Sequence, residues 1–223
     1  MAKKAPRRTA ERIREAALAL FNRYGEPNVS TSQIAAELDI SPGNLYYHYS
    51  AKEGLLNALF EQYEQALDAL LPAAPEVRDV EDAWFFMHSL LELVWAYRFL
   101  YRDLNLLLSR NRRLETGIQL ALRRKTAALQ AQLTGLQRNG VLQIEAADQD
   151  GLATRQVVLL SYWLSFEYAL NPRQALEPEG LQAAVLHGAG QALGLLVPYL
   201  IPAQQAHLRH LLRAYETHSL NGA

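Results

Sequence analysis

Between Ser41 and Leu56 the chain reads SPGNLYYHYSAKEGLL. The chemistry available there is recognition rather than bond-making. Tyr46, Tyr47 and His48 are consecutive, and Lys52 follows four residues later. Tyrosine hydroxyls, an imidazole and an ammonium can all bond phosphate oxygens, and a tyrosine ring can lie against a thymine methyl. Ser41 before Pro42 reads as a helix N-cap followed by the favoured first helical position. Pro42, Gly43 and Asn44 then make a first turn of small side chains, which lets a helix end enter a major groove without clashing. Thr31 and Ser32, at the start of the preceding helix, offer hydroxyls and backbone N–H groups to the DNA backbone. Taken singly, each tyrosine serves equally well in a core and Lys52 as a solvated charge. Their combination within residues 31–52 points to DNA.

The elements that must hold these groups are legible in the same stretch. Ile13, Ala16, Ala17, Leu20, Phe21 and Tyr24 recur at helical spacing and predict a helix over 9–24, ended by Gly25. Ser30 and Gln33 have capping-box spacing and open a short helix of about eight residues. The Asp39-Ile40 turn leads to Ser41 and to a third helix over 42–49, in which Leu45 and Tyr49 face the core. Two short helices joined by a turn of three or four residues form a helix-turn-helix. A further pair, Ser50 and Glu53, predicts a capped helix running to about Leu71, where Pro72 and Pro75 stop it. Beyond it the pattern predicts helices over 80–97, 99–109, 111–139, 148–170, 178–197 and 203–217. Their breaks fall at Asn111, Asn139-Gly140, Asn171-Pro172, Pro178, Pro198 and Pro202. No stretch alternates in the manner of a half-buried strand, so the expected fold is all-α.

Charge adds to the DNA reading. The net charge is −1, yet Lys3, Lys4, Arg7, Arg8, Arg12 and Arg14 stand against Glu11 alone in residues 1–14. A basic arm on a near-neutral chain is a nucleic-acid signal, and equally the pattern of a solubilising tail. Half of the 223 residues are hydrophobic, enough for a sizeable core. There is no cysteine, so disulfides and thiolate metal sites are excluded. No apolar secretory segment or membrane-length run is visible, and the expectation is a cytoplasmic protein without a membrane partner.

The segments ERIREAALALFNRYG, SQIAAELDIS and GNLYYHYSAKEGLL resemble the N-terminal domain of TetR-type (TetR/AcrR family) transcriptional regulators. The resemblance spans roughly residues 9–56. It implies a three-helix helix-turn-helix domain with a basic arm over 1–52 and a larger helical ligand-binding and dimerisation domain over 53–223. It also implies a homodimeric repressor on double-stranded DNA with a palindromic operator, and it places Thr31, Pro42, Gly43, Asn44, Tyr46, Tyr47, His48 and Lys52 at DNA-contact positions. Two residues depart from the family pattern. Asp39 stands where glycine is usual, and must adopt a left-handed conformation at modest cost. Ala51 stands where the family usually has Ser or Asn, which leaves Ser50 as the expected cap.

The larger half is less explicit. Aromatics concentrate between Trp84 and Tyr101 and again between Tyr162 and Tyr168. Met87 or His88, with Leu91 and Trp95, could line a pocket for a small apolar or aromatic effector, with Tyr162 and Phe166 opposite. Plain core packing explains the same residues. The helices near 148–170 and 178–197 are predicted to form the dimer interface. The first is apolar on more than one face; the second carries Leu181, Val185, Ala189, Ala192 and Leu196 in a stripe, with Gly188, Gly190 and Gly194 allowing close approach. An enzyme is disfavoured. His207 and His210 have i,i+3 spacing but no nearby carboxylate, so no metal site is expected, and no cofactor. HGAGQALG does not follow a strand, so it is no dinucleotide fingerprint. The rival that shares every DNA feature is an architectural DNA-binding protein without a ligand.

Overall fold

The computed structural model describes residues 6–172 and 180–220. Among them the regular structure is helical, with eleven α-helices joined by turns and short 3-10 segments. Lys3 and Lys4 of the basic arm lie outside the described residues, as does Pro178. The chain divides into two compact units, one formed by residues 1–65 and 97–117 and the other by 66–96 and 118–223. The division at residue 52 follows the motif, and the compact units are cut differently. The segment 97–117 returns to the first unit, which periodicity along the chain does not reveal.

The first unit begins with α1 (Pro6–Tyr24), α2 (Thr31–Glu37) and α3 (Pro42–His48), followed by the start of α4 (Lys52–Leu70). Ile13, Ala17 and Phe21 of α1 are fully buried, whereas Tyr24, expected on the same stripe, is 46% exposed. The α2 capping box is present: Ser30 Oγ accepts from the Gln33 amide and the Gln33 side chain accepts from the Ser30 amide. Ser41 caps α3 by accepting from the Asn44 amide at 3.2 Å. Between them Asp39 has φ 52°, the left-handed conformation its position demands. The cap expected at Ser50 is not formed. Helix α4 starts one residue later, and the Ala51 carbonyl accepts from Gly54 and Leu55.

The segment that returns to this unit carries α6 (Arg98–Arg102) and α7 (Leu104–Arg110). One helix was expected over 99–109. The break falls at Asp103, whose backbone leaves the helical region (φ −105°, ψ 21°). Helix α6 packs on α1. Asn22, buried in α1, accepts from the amide of Phe99 at 3.1 Å, and the Phe21 and Phe99 rings are 5.5 Å apart. The Tyr63 and Tyr101 hydroxyls meet at 2.7 Å in the interior. Burial pushes the Tyr101 phenol well above its ordinary range.

The second unit contains the end of α4, α5 (Val80–Ala96), most of α8 (Arg112–Arg138), α9 (Ala146–Leu170), α10 (Leu181–Gly194) and α11 (Pro202–Leu220). Helix α5 packs on α9, α10 and α11. Nine of its seventeen residues are buried, from Val80 to Trp95, so it is the central helix of this unit. Gly140 ends α8 with φ 71°. The linkers after α8 and after α10 are stitched by Gln143 N–H to Tyr199 O and Ile201 N–H to Val141 O. Among the described residues no helix is long and apolar enough to cross a membrane.

Candidate nucleic-acid interface

Helix α3 turns one side inward and the rest outward. Leu45 is fully buried, while Pro42, Gly43, Asn44, Tyr46 and Tyr47 are exposed. Tyr47 is 80% exposed, too open for a core aromatic. Its ring meets His48 edge-on at 5.2 Å. Tyr49 is half-buried, and its hydroxyl accepts from Arg14 at 2.9 Å, which ties the end of α3 to α1. The N-terminal turn of α3 is thus held from beneath and open above.

Gly43 carries a separate argument. A Cβ added there would meet nothing nearer than Ser41 Oγ at 3.9 Å, and its φ lies outside the left-handed region. The fold does not demand glycine at this point. The absence of a side chain leaves the outer side of this turn open.

Thr31 and Tyr46 come together. Their hydroxyls share a hydrogen bond of 3.0 Å between the start of α2 and the outer side of α3. This pair borders a cleft of about 590 Å³ lined by Pro27 to Thr31, Gln33, Tyr46, and Ser50 to Lys52. Ser32 is exposed next to Thr31. The cleft collects hydroxyls, two amide side chains and an ammonium, the donors that phosphate oxygens accept from.

Lys52 lies at the rim of that cleft, but its ammonium is already engaged. It donates to the Glu26 carbonyl at 2.6 Å and pairs with the Glu26 carboxylate at 2.8 Å. The Phe21 ring lies 5.7 Å away. Glu26 and Asn22 are not singled out by the sequence, and Arg14 enters there only as one charge of the basic arm. Their roles depend on partners far along the chain, and no local pattern marks them.

The effector residues expected from the sequence are divided between interior and surface. Met87, Leu91 and Trp95 are buried in the core of the second unit and His88 is half-buried. Tyr162 and Phe166 face outward, 50% and 53% exposed. The residue of α9 that turns toward α10 is Trp163, whose indole N–H donates to Ala184 O at 2.8 Å. The cause is a rotation of about 100° per residue around the helix, which separates Tyr162 from its neighbour. A different cleft, of about 390 Å³, opens beside Leu70, Val77, Phe85, Phe86, Arg78 and Ser89.

The α10 stripe also has another role. Val185, Ala189, Ala192 and Leu196 are buried within the unit, and Leu181 is placed by its backbone only. A Cβ on Gly188 would come within 2.6 Å of the Trp163 ring and 3.0 Å of Leu91. Gly188 therefore admits α9 and α5 of its own chain. The face left outside lies on α9: Val158, Tyr162, Phe166 and Leu170 recur every four residues and are all more than half or half exposed.

Two family models match the chain. Residues 13–59 match the family described as bacterial regulatory proteins, tetR family, and residues 62–208 match TetR, described as bacterial transcriptional repressor. The chain belongs to the TetR family. A TetR-family transcriptional regulator from Marinobacter aquaeolei VT8 is 32% identical, with a TM-score of 0.82 over 93% of this chain and 98% of that one. A structure from Saccharomonospora viridis, solved in complex with choline, is 21% identical, with a TM-score of 0.64 over 84% of this chain and 96% of that one. The fatty acid degradation regulator FadR from Bacillus halodurans is 21% identical, with a TM-score of 0.61 over 86% of this chain and 97% of that one. These last two share the fold. As a TetR-family member this protein is a DNA-binding transcriptional repressor.

Proposed function

We propose that this TetR-family protein is an effector-responsive repressor that reads a palindromic operator as a homodimer. Residues 1–52 would bind DNA and 53–223 would dimerise and bind the effector. Each subunit would place the first turn of α3 in a major groove. Pro42, Gly43, Asn44 and Tyr46 would contact base edges, while Thr31, Ser32, Tyr47, His48, Lys52 and the basic arm would hold phosphates. The observation that carries this reading is the open first turn of α3, with an exposed glycine that the fold does not require.

Dimerisation would use the outward stripe of α9 together with the outer side of α10. Two aromatic rings exposed at i,i+4 on a long helix fit a partner helix better than water. A two-fold dimer would hold the two reading helices about 34–36 Å apart, one turn of DNA. The effector would be a small molecule with apolar surface. The cleft beside Phe85 and Phe86 has apolar walls with a guanidinium and a hydroxyl at hand, and the choline-bound relative supports a ligand-responsive member of this fold. Effector binding would change the spacing of the reading helices and so release the operator. No enzymatic step enters this reading, and the site of action would be the cytoplasm.

Selection of genomic fragments by the purified protein at physiological salt, followed by footprinting, tests it. Enrichment of one palindromic site is expected. Salt-sensitive binding without an enriched sequence would replace this reading with an architectural role.

A further inference from the structure

Lys52 lines two clefts of the first unit. The larger, of about 590 Å³, faces the Thr31–Tyr46 pair and does not include Glu26. The smaller, of about 210 Å³, includes Glu26, Glu53, Leu107 and Arg110. The ammonium is drawn to Glu26, where it has both a carbonyl and a carboxylate oxygen within 2.8 Å. The two side chains are only 27% and 15% exposed, so the pair is largely shielded from solvent.

Glu26 is itself held in place. Gly25 has φ 85°, and its missing Cβ leaves room for Asp103, whose Oδ2 would lie 2.9 Å from such an atom. The Asp103 carboxylate lies within the influence of the Glu26 amide, while its Oδ2 is buried without a hydrogen-bond partner. The junction of α6 and α7 thus packs against the turn that presents Glu26 to Lys52. Three residues distant in sequence form one line from the α6–α7 junction to the edge of the DNA-facing cleft.

The geometry points to Glu26 as a latch that competes with DNA phosphate for Lys52. In the free protein the ammonium rests on Glu26. On DNA it swings to the neighbouring cleft and exchanges the carboxylate for a phosphate, so part of the phosphate attraction is spent on breaking the internal pair. Glu26 is a positioning residue that sets operator affinity without touching DNA. This rests on the reading of residues 31–52 as the DNA interface.

The test is binding of the full-length protein and its variants to a mixed-sequence DNA duplex over a range of salt, with thermal unfolding confirming that each variant is folded. Glu26→Gln is expected to bind about fivefold tighter than the parent at low salt. With Lys52→Gln already present, the gain should shrink to that of the control substitution. Glu26→Asp keeps the charge but shortens the reach, and should give a smaller gain of the same sign. Glu37→Gln, on the exposed end of α2, removes an equal charge and serves as the control. Its effect should be the same with or without Lys52. Weaker binding by Glu26→Gln, or a gain that stays larger than the control's in the Lys52→Gln background, would overturn the latch. Absence of salt-sensitive binding by the parent protein would instead remove the DNA reading, and the latch with it.

Discussion

At the scale of single residues, the fold and the interface make separable demands. Gly43 is required by neither its backbone conformation nor its neighbours. Gly43→Ala should therefore leave thermal stability unchanged or raise it by up to about 1 kcal/mol, because alanine is the better helix former. The same variant should weaken operator binding, since a methyl group now stands on the approach to the groove. Equal binding by the two proteins in a gel-shift titration would remove the first turn of α3 from the interface. Asp103 makes a demand of another kind. Burial pushes its carboxyl above the usual carboxylate range, against the attraction of Arg102 and the Glu26 amide. A raised folded pKa favours the protonated group, so its contribution is fully present below the unfolded pKa and is lost as pH rises through the folded pKa. Asp103→Asn keeps an oxygen for the Glu26 amide and has no charge to bury. Its melting temperature should exceed the parent's at neutral pH, and the gap should close as pH falls through the carboxylate range. A gap that widens in acid would show that the charged form is the stabilising one.

At the scale of elements, the helix-turn-helix was readable because its signals are local. The Ser30–Gln33 box, the Ser41 cap and the left-handed Asp39 each act within one turn of chain. The support beneath α1 was not readable. Asn22 lies two residues before the end of an apolar helix pattern, and its partner is the Phe99 amide, 77 residues away. Asn22→Ala should cost about 1–3 kcal/mol, because the amide of Phe99 would be left buried without an acceptor. Chemical denaturation measures that loss, and an effect within a few tenths of a kcal/mol, as at an ordinary surface site, would mean that water replaces the side chain. The break between α6 and α7 belongs to the same class of feature. The sequence shows a continuous helical pattern there, and the turn of Asp103 toward Glu26 interrupts it.

At the scale of the whole molecule, the question is which apolar surface is core and which meets a second copy. Helix α9 buries Leu152, Val157, Leu160 and Leu164 and exposes Val158, Tyr162 and Phe166. Tyr162→Glu together with Phe166→Glu should leave the fold intact, since neither side chain is in the core. The doubly substituted protein should sediment as a monomer, with a loss on the order of 2 kcal/mol or more in dimer stability for each buried aromatic removed. Operator affinity should fall with it. A dimer that survives both charges would move the interface elsewhere. From the sequence alone, the all-α class, the three N-terminal helices and the family resemblance were determined, because caps, turns and 3.6-residue periodicity are encoded by neighbours a few positions apart. The tertiary structure decided which face of each helix points where. It turned Tyr162 outward and Trp163 inward, joined residues 97–117 to the first unit, and gave Lys52 a partner 26 positions back in the chain. Those outcomes depend on how helices stack, and the energy that selects them comes from burial across long sequence separations, which no local pattern records.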